Sequence, residues 1–241
     1  MQNELKRQII IHGGGGFSKY GSYTPSNLLI EKYFLEQTQV KRPRICFIPT
    51  ASGESLKYIV DFYRAFGQLE CKPSSLSLFD PPSADLESYL LEHDAIYVGG
   101  GNTKSMLALW KEWKLDVYLK KAWNQGVVLG GISAGGLCWF EEGVTDSIPG
   151  PLTSLKCLGF LPGSHCPHYD GEAARRPAYH RMIKEGMASG IAADDHVALH
   201  YLDGKLEKVV KANAQGAAYH VQVLQGQVVE QKIEAVELLI T

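Results

Sequence analysis

The sequence predicts an α/β protein: a parallel sheet with helices on both faces, followed by a β-rich C-terminal region of hairpins. Three observations carry that prediction. Short apolar runs of β-forming residues alternate with longer segments of helical period up to about Phe140, the order that builds a parallel sheet covered on both sides. From Val197 onward the pattern changes to closely spaced strand signals broken by two-residue turns. The chain has 241 residues, 45% hydrophobic and 21% charged, enough for one sizeable core, so a single unit over 1–241 is expected.

The elements follow in order. Strands are expected at 8–11, 44–48, 74–78, 95–98 and 127–131. Between the first two, Thr24-Pro25 reads as an N-cap followed by proline at the first helical position. Leu28, Leu29 and Leu35 supply part of its buried stripe, and the helix ends before Lys41-Arg42-Pro43. A second helix spans 54–66 and closes at Gly67; a third, capped by Asn102 or Thr103, runs through Met106, Leu107 and Trp110. After Phe140, Pro149, Pro151, Pro162 and Pro167 predict a loop-rich stretch, then a helix over 172–186. The late strands are VALHYL, KVVKA, AAYHVQVL and QVVEQKI, with Asp203-Gly204 and Gln225-Gly226 as hairpin turns.

Composition narrows the partners. A formal net charge of −2 with no long Lys or Arg run gives no electrostatic footprint for nucleic acid or membrane, which leaves a small molecule or peptide as the expected ligand. No apolar run approaches the roughly 18–20 residues of a membrane span, and the N-terminal stretch lacks the apolar core of a signal peptide, so a cytoplasmic protein is expected. The five cysteines are scattered without a C-x-x-C pair, which signals neither a disulfide framework nor a zinc site. Reduced, buried thiols are expected, and no metal or cofactor is implied.

Gly131-Ile132-Ser133-Ala134-Gly135 fits G-x-S-x-G, placed after a strand and before a helical stretch, as the motif requires. Such a turn lifts the serine out of the sheet. It also sets the Ala134 amide at a helix start, where it favours a developing oxyanion. A serine hydroxyl needs a base, and the base needs an acid to orient it. His168, in Cys166-Pro167-His168-Tyr169-Asp170, stands where a loop can return over the central strands. His12, His93, His196, His200 and His220 are assigned to framework or surface. The cluster Gly99-Gly100-Gly101-Asn102 has neither the G-x-G-x-x-G register nor a G-K-[ST] lysine, which argues against nucleotide binding. Its better use is an amide from Gly100 or Gly101 that completes an oxyanion hole with Ala134. The third glycine turn, at 12–16, reads as a strand-end loop near the same sheet edge.

Taken together, YVGGGNT, GISAGG, TDSIP and PHYD, in that order, resemble the peptidase S51 family, which includes dipeptidase E (α-aspartyl dipeptidase) and cyanophycinase. The resemblance runs from the first strand to about Leu202. It implies a three-layer flavodoxin-like sandwich similar to class I glutamine amidotransferase domains. It also implies a serine-type peptidase that hydrolyses short peptides through an acyl-enzyme. The family's nucleophile falls on Ser133 and its base on His168. The acid falls on Asp146 in TDSIP, the preferred assignment, or on Asp195 in Ala193-Asp194-Asp195-His196, where the family often has glutamate. An Asp-X dipeptide would require a cation for its side chain. Arg175 and Arg176 are the candidates, with Asn102 as a further substrate contact, although the 170–181 segment is shorter than in dipeptidase E. Two rival readings are an α/β-hydrolase esterase, disfavoured by a histidine only 35 residues beyond the serine, and an amidotransferase-like protein that binds without catalysis. A glutaminase is disfavoured because Cys138 lies a helical turn past the elbow.

Overall fold

The structure, a computed structural model, describes residues 6–17 and 23–239; the first five residues of the N-terminal stretch read above lie outside it. Five strands form the parallel sheet: β1 (Gln8–His12), β2 (Arg44–Ile48), β3 (Lys72–Ser75), β4 (Ala95–Val98) and β5 (Val128–Ile132). Beyond β1 the sheet continues antiparallel through β10 (Val197–Leu202) and β11 (Lys205–Lys211), then β14 (Val236–Glu237), which pairs parallel with β11. The order is β14-β11-β10-β1-β5-β4-β2-β3. Because side chains alternate along a strand, neighbours feed opposite faces. Ile9 and Ile11 pack with Val98, Leu129 and Trp110 on one side, and Ile10 packs with Phe34, Phe47 and Phe62 on the other. Each such side chain, fully removed from water, contributes about 1.5–3 kcal/mol.

Helices α1 (Leu29–Glu36) and α2 (Leu56–Phe66) cover the second face. Helices α4 (Thr103–Glu112) and α5 (Leu115–Asn124) cover the first, with the short α3 (Leu86–Leu91) beside α5. On α2, Phe62 stacks on Phe47 at 4.6 Å between ring centres. The first helix starts later than its sequence suggests. Thr24-Pro25 opens a 3-10 turn (Pro25–Asn27), and the Thr24 hydroxyl bonds to the Ser26 hydroxyl (2.9 Å). Leu28 and Leu35 are buried as expected, and Leu29 only partly. Strand β3 starts two residues earlier and ends three residues earlier than predicted. Leu76 and Leu78, whose apolarity suggested strand, are buried side chains of the loop that follows, and Pro73 is tolerated because β3 is an edge strand.

The loop-rich stretch after Phe140 is a correction. It contains β6 (Phe140–Thr145), β7 (Thr153–Lys156) and β8 (Leu161–Cys166). These join β9 (Gly190–Ala193), β12 (Ala218–Leu224) and β13 (Gln227–Ile233) in a second sheet ordered β13-β12-β9-β8-β6-β7. The prolines fall where no ladder donor is needed. Pro149 and Pro151 lie between β6 and β7, and Pro162 sits at a bulge where Phe140 pairs with Leu161 but Glu142 with Ser164. The late hairpins therefore divide, with β10–β11 extending the first sheet and β12–β13 the second. Both turns have the positive φ pair of a tight hairpin, at Asp203-Gly204 (50°, 81°) and Gln225-Gly226 (51°, 77°). Helix α7 (Arg175–Lys184) packs on the second sheet, against β6, β12 and β13.

Candidate active site

Ser133 occupies the turn between β5 and the short helix α6 (Ala134–Leu137), with φ 54° and ψ −115°. A side chain in that conformation costs about 1–3 kcal/mol and is kept only where its surroundings enforce it. The enforcement is visible on both sides. A β-carbon at Gly131 or at Gly135 would overlap the Val98 carbonyl, so β4 and the turn approach each other only because both positions are glycine. The Ser133 amide donates to the His12 carbonyl (3.3 Å), which ties the turn to the end of β1.

His168, just beyond β8, also has positive φ (55°), and its amide donates to the Gly13 carbonyl (3.1 Å). Its Nε2 lies 2.9 Å from Ser133 Oγ and its Nδ1 lies 2.7 Å from Asp195 Oδ1. With the Nδ1 proton donated to the carboxylate, Nε2 is left to accept the serine proton. The His168 and Asp195 side chains are only 15% and 12% exposed, which strengthens their interaction over a solvated pair. Asp195 is held by its amide, which donates to Asp170 Oδ1 (2.8 Å). The 12–16 loop forms the back wall: a β-carbon at Gly14 would overlap both Asp195 Oδ1 and His168 Nδ1, and the His196 amide donates to the Gly14 carbonyl (2.9 Å).

The structure brings Asp195, and not the preferred Asp146, to His168. Asp146 follows β6, is 67% exposed and lies 3.8 Å from Arg175 Nη2. The chain that passes His168 is instead the crossing from β9 to β10, where the Tyr169 amide donates to the Ala193 carbonyl (3.2 Å) and Asp195 follows two residues later. Three of the other histidines are buried and held neutral. Burial, then the charge of His196, pushes His12 down to about 3, and burial pushes His165 and His200 down to about 4. The five cysteines are free, and burial holds the Cys138 thiol well above its ordinary value, away from nucleophilic use.

Gly100 lies alongside the serine. A β-carbon there would stand 3.3 Å from Ser133 Cβ and 3.9 Å from Ser133 Oγ. Its amide donates to the Tyr58 hydroxyl (3.3 Å), a neighbour that no sequence motif marks. Ala134 opens α6, where a first-turn amide has no intrahelical acceptor. The three expected substrate contacts are engaged elsewhere. Asn102 caps α4 through the Ser105 amide (2.9 Å), and its Nδ2 donates to the Ser147 carbonyl (2.9 Å). Arg175 is 2% exposed, with Nε on Glu172 (2.7 Å) and Nη1 on the Val144 carbonyl (3.1 Å). Arg176 lies over the rings of Tyr169 (4.4 Å) and Tyr219 (4.7 Å) and pairs with Glu230. Buried or half-buried cations need such partners, and here the fold supplies them. Among the described residues no group of three or more His, Cys, Asp or Glu side chains could hold a metal ion, and no helix is long and apolar enough to cross a membrane.

The family model described as Peptidase family S51 matches residues 9–209. An uncharacterized peptidase of Bacillus subtilis (strain 168), YgaJ, is 56% identical over 225 residues, covering 93% of this chain and 96% of that protein. Two solved structures share the fold at 18% identity. One, a peptidase from an acI-B1 Actinobacterium, has a TM-score of 0.69 and covers 95% of this chain and 94% of its own. The other, from Listeria monocytogenes EGD-e, has a TM-score of 0.61 and covers 95% and 100%. The fold is accordingly the flavodoxin-like α/β sandwich.

Proposed function

The chain belongs to peptidase family S51, and on that premise we propose that this peptidase is of the serine type, hydrolysing short peptides through an acyl-enzyme. The observation that carries the reading is the unbroken chain Ser133 Oγ, His168, Asp195 at 2.9 and 2.7 Å, on a serine held in a positive-φ turn. In the proposed reaction His168 Nε2 takes the Ser133 proton as Oγ attacks the peptide carbonyl, and Asp195 stabilises the imidazolium. The amides of Gly100 and Ala134 receive the oxyanion. His168 then protonates the departing amine, and a water activated by the same imidazole releases the acyl group. Within this class the family resemblance points to Asp-X dipeptides as the narrower substrate. The free, mostly buried cysteines suit a reducing compartment such as the cytoplasm.

The test is labelling with a fluorophosphonate probe in wild type, Ser133→Ala and His168→Ala, followed by a dipeptide panel with and without N-terminal aspartate. We expect labelling of wild type alone and cleavage that either variant abolishes. Folded wild-type protein that neither labels nor cleaves would overturn the reading in favour of a binding protein.

A further inference from the structure

Tyr58 is on the exposed-to-buried boundary of α2, yet its hydroxyl reaches across to the Gly100 amide at 3.3 Å. The ring packs against two aromatic neighbours. Phe47 meets it edge-on at 5.1 Å between centres, and Phe17 lies tilted against it at 5.5 Å. At Gly99, a β-carbon would stand 3.0 Å from the Tyr58 ring, so the absence of a side chain there lets the phenol approach the strand end. Phe17 is itself anchored, because its amide donates to the buried Glu31 carboxyl (3.0 Å). The hydroxyl is therefore delivered to the amide that flanks Ser133 by packing that is complete before any substrate arrives.

We propose that the Tyr58 hydroxyl is a further hydrogen-bond donor of the oxyanion site, joining the amides of Gly100 and Ala134; the proposal rests on the serine-peptidase reading above. A hydroxyl can accept and donate, whereas an amide N–H can only donate. In the substrate-free site the phenol oxygen accepts the Gly100 N–H at a distance near the long end for such bonds. A substrate oxygen that gains negative charge is the stronger acceptor and takes that N–H over. It then lies against the phenol, whose O–H turns to it. The tyrosine keeps its proton and no covalent bond changes; the hydroxyl only exchanges partners as charge develops on the substrate.

The experiment compares wild type, Tyr58→Phe and Ser133→Ala in steady-state dipeptide hydrolysis and in the rate of fluorophosphonate labelling. Tyr58→Phe keeps the ring and its packing, and labelling is read per site finally labelled, so a fraction of unfolded protein does not enter the rate. The expected result for Tyr58→Phe is a kcat lowered about 10- to 100-fold with KM changed less than about threefold, and labelling slowed in parallel. A residue that merely supports the fold would not produce that split. Wild-type kcat and labelling in Tyr58→Phe, or a rise in kcat/KM, would overturn the Tyr58 assignment while leaving Ser133 labelling, and with it the peptidase reading, intact. Wild type that fails to label at Ser133 would overturn both.

Discussion

Asp146 and Asp195 are both aspartates in plausible motifs, and what separates them is their surroundings. Asp195 is 12% exposed with His168 Nδ1 at 2.7 Å, while Asp146 points into solvent beside a guanidinium. Asp195→Asn would keep the shape but present an amide to Nδ1, favouring the wrong imidazole tautomer; kcat should fall by about 10³–10⁴ with the fold intact. Asp146→Asn should stay within about threefold of wild type, since a solvated charge adds little. Steady-state rates and circular dichroism on both variants check this pair of outcomes. That Ser133 and His168 would meet was legible because each sits in a contiguous motif whose geometry is local. Which of the two aspartates would face His168 was not, because that depends on where the chain crosses between sheets. Asn102 and Arg175 looked like ligand contacts for a related reason: sequence reports a polar side chain, not the carbonyl or helix end that the fold sets beside it.

The central strands were readable nearly to the residue because both of their faces are buried and their runs are apolar, as in β4 and in β2 after Arg44. The second sheet was not. Its strands TSLK and LPGSHC are short, carry polar or helix-breaking residues, and gain order only from their neighbours. Helix α7 locks that sheet through its charges. Arg175 reaches the Val144 carbonyl at the end of β6. One residue on, Arg176 pairs with Glu230 of β13, whose other oxygen accepts from the Tyr169 hydroxyl (2.6 Å) and faces His180 Nε2 (2.9 Å). Arg175→Met leaves that carbonyl without its donor and should cost about 1–3 kcal/mol in urea denaturation. KM for Asp-X dipeptides should not change. A KM that rose with stability unchanged would instead make Arg175 a substrate contact.

Buried titratable groups set how the molecule responds to pH. His12, His165 and His200 are held neutral by burial, down to about 3, 4 and 4, against 6.5 in the unfolded chain. The unfolded state therefore binds protons that the folded state refuses. Stability is fully present above 6.5 and is lost as pH falls through the window between 6.5 and those lower values. Glu31 acts in the opposite sense. Burial raises it to about 7 from 4.5, so its folded form holds a proton that the unfolded form has released, and stability declines as pH rises between those values. Glu31→Gln keeps an acceptor for the Phe17 amide and removes that decline. Its melting temperature relative to wild type should climb between pH 4.5 and 7 and level off above, as differential scanning fluorimetry can follow. Ser133 hangs from the first sheet, His168 from the second, and Asp195 from the strand-to-strand link that joins them. The three side chains thus work as an alignment gauge for the sandwich. On the serine mechanism proposed above, a slip of about 1 Å between the two sheets would cost on the order of 10²-fold in rate while both sheets were still folded.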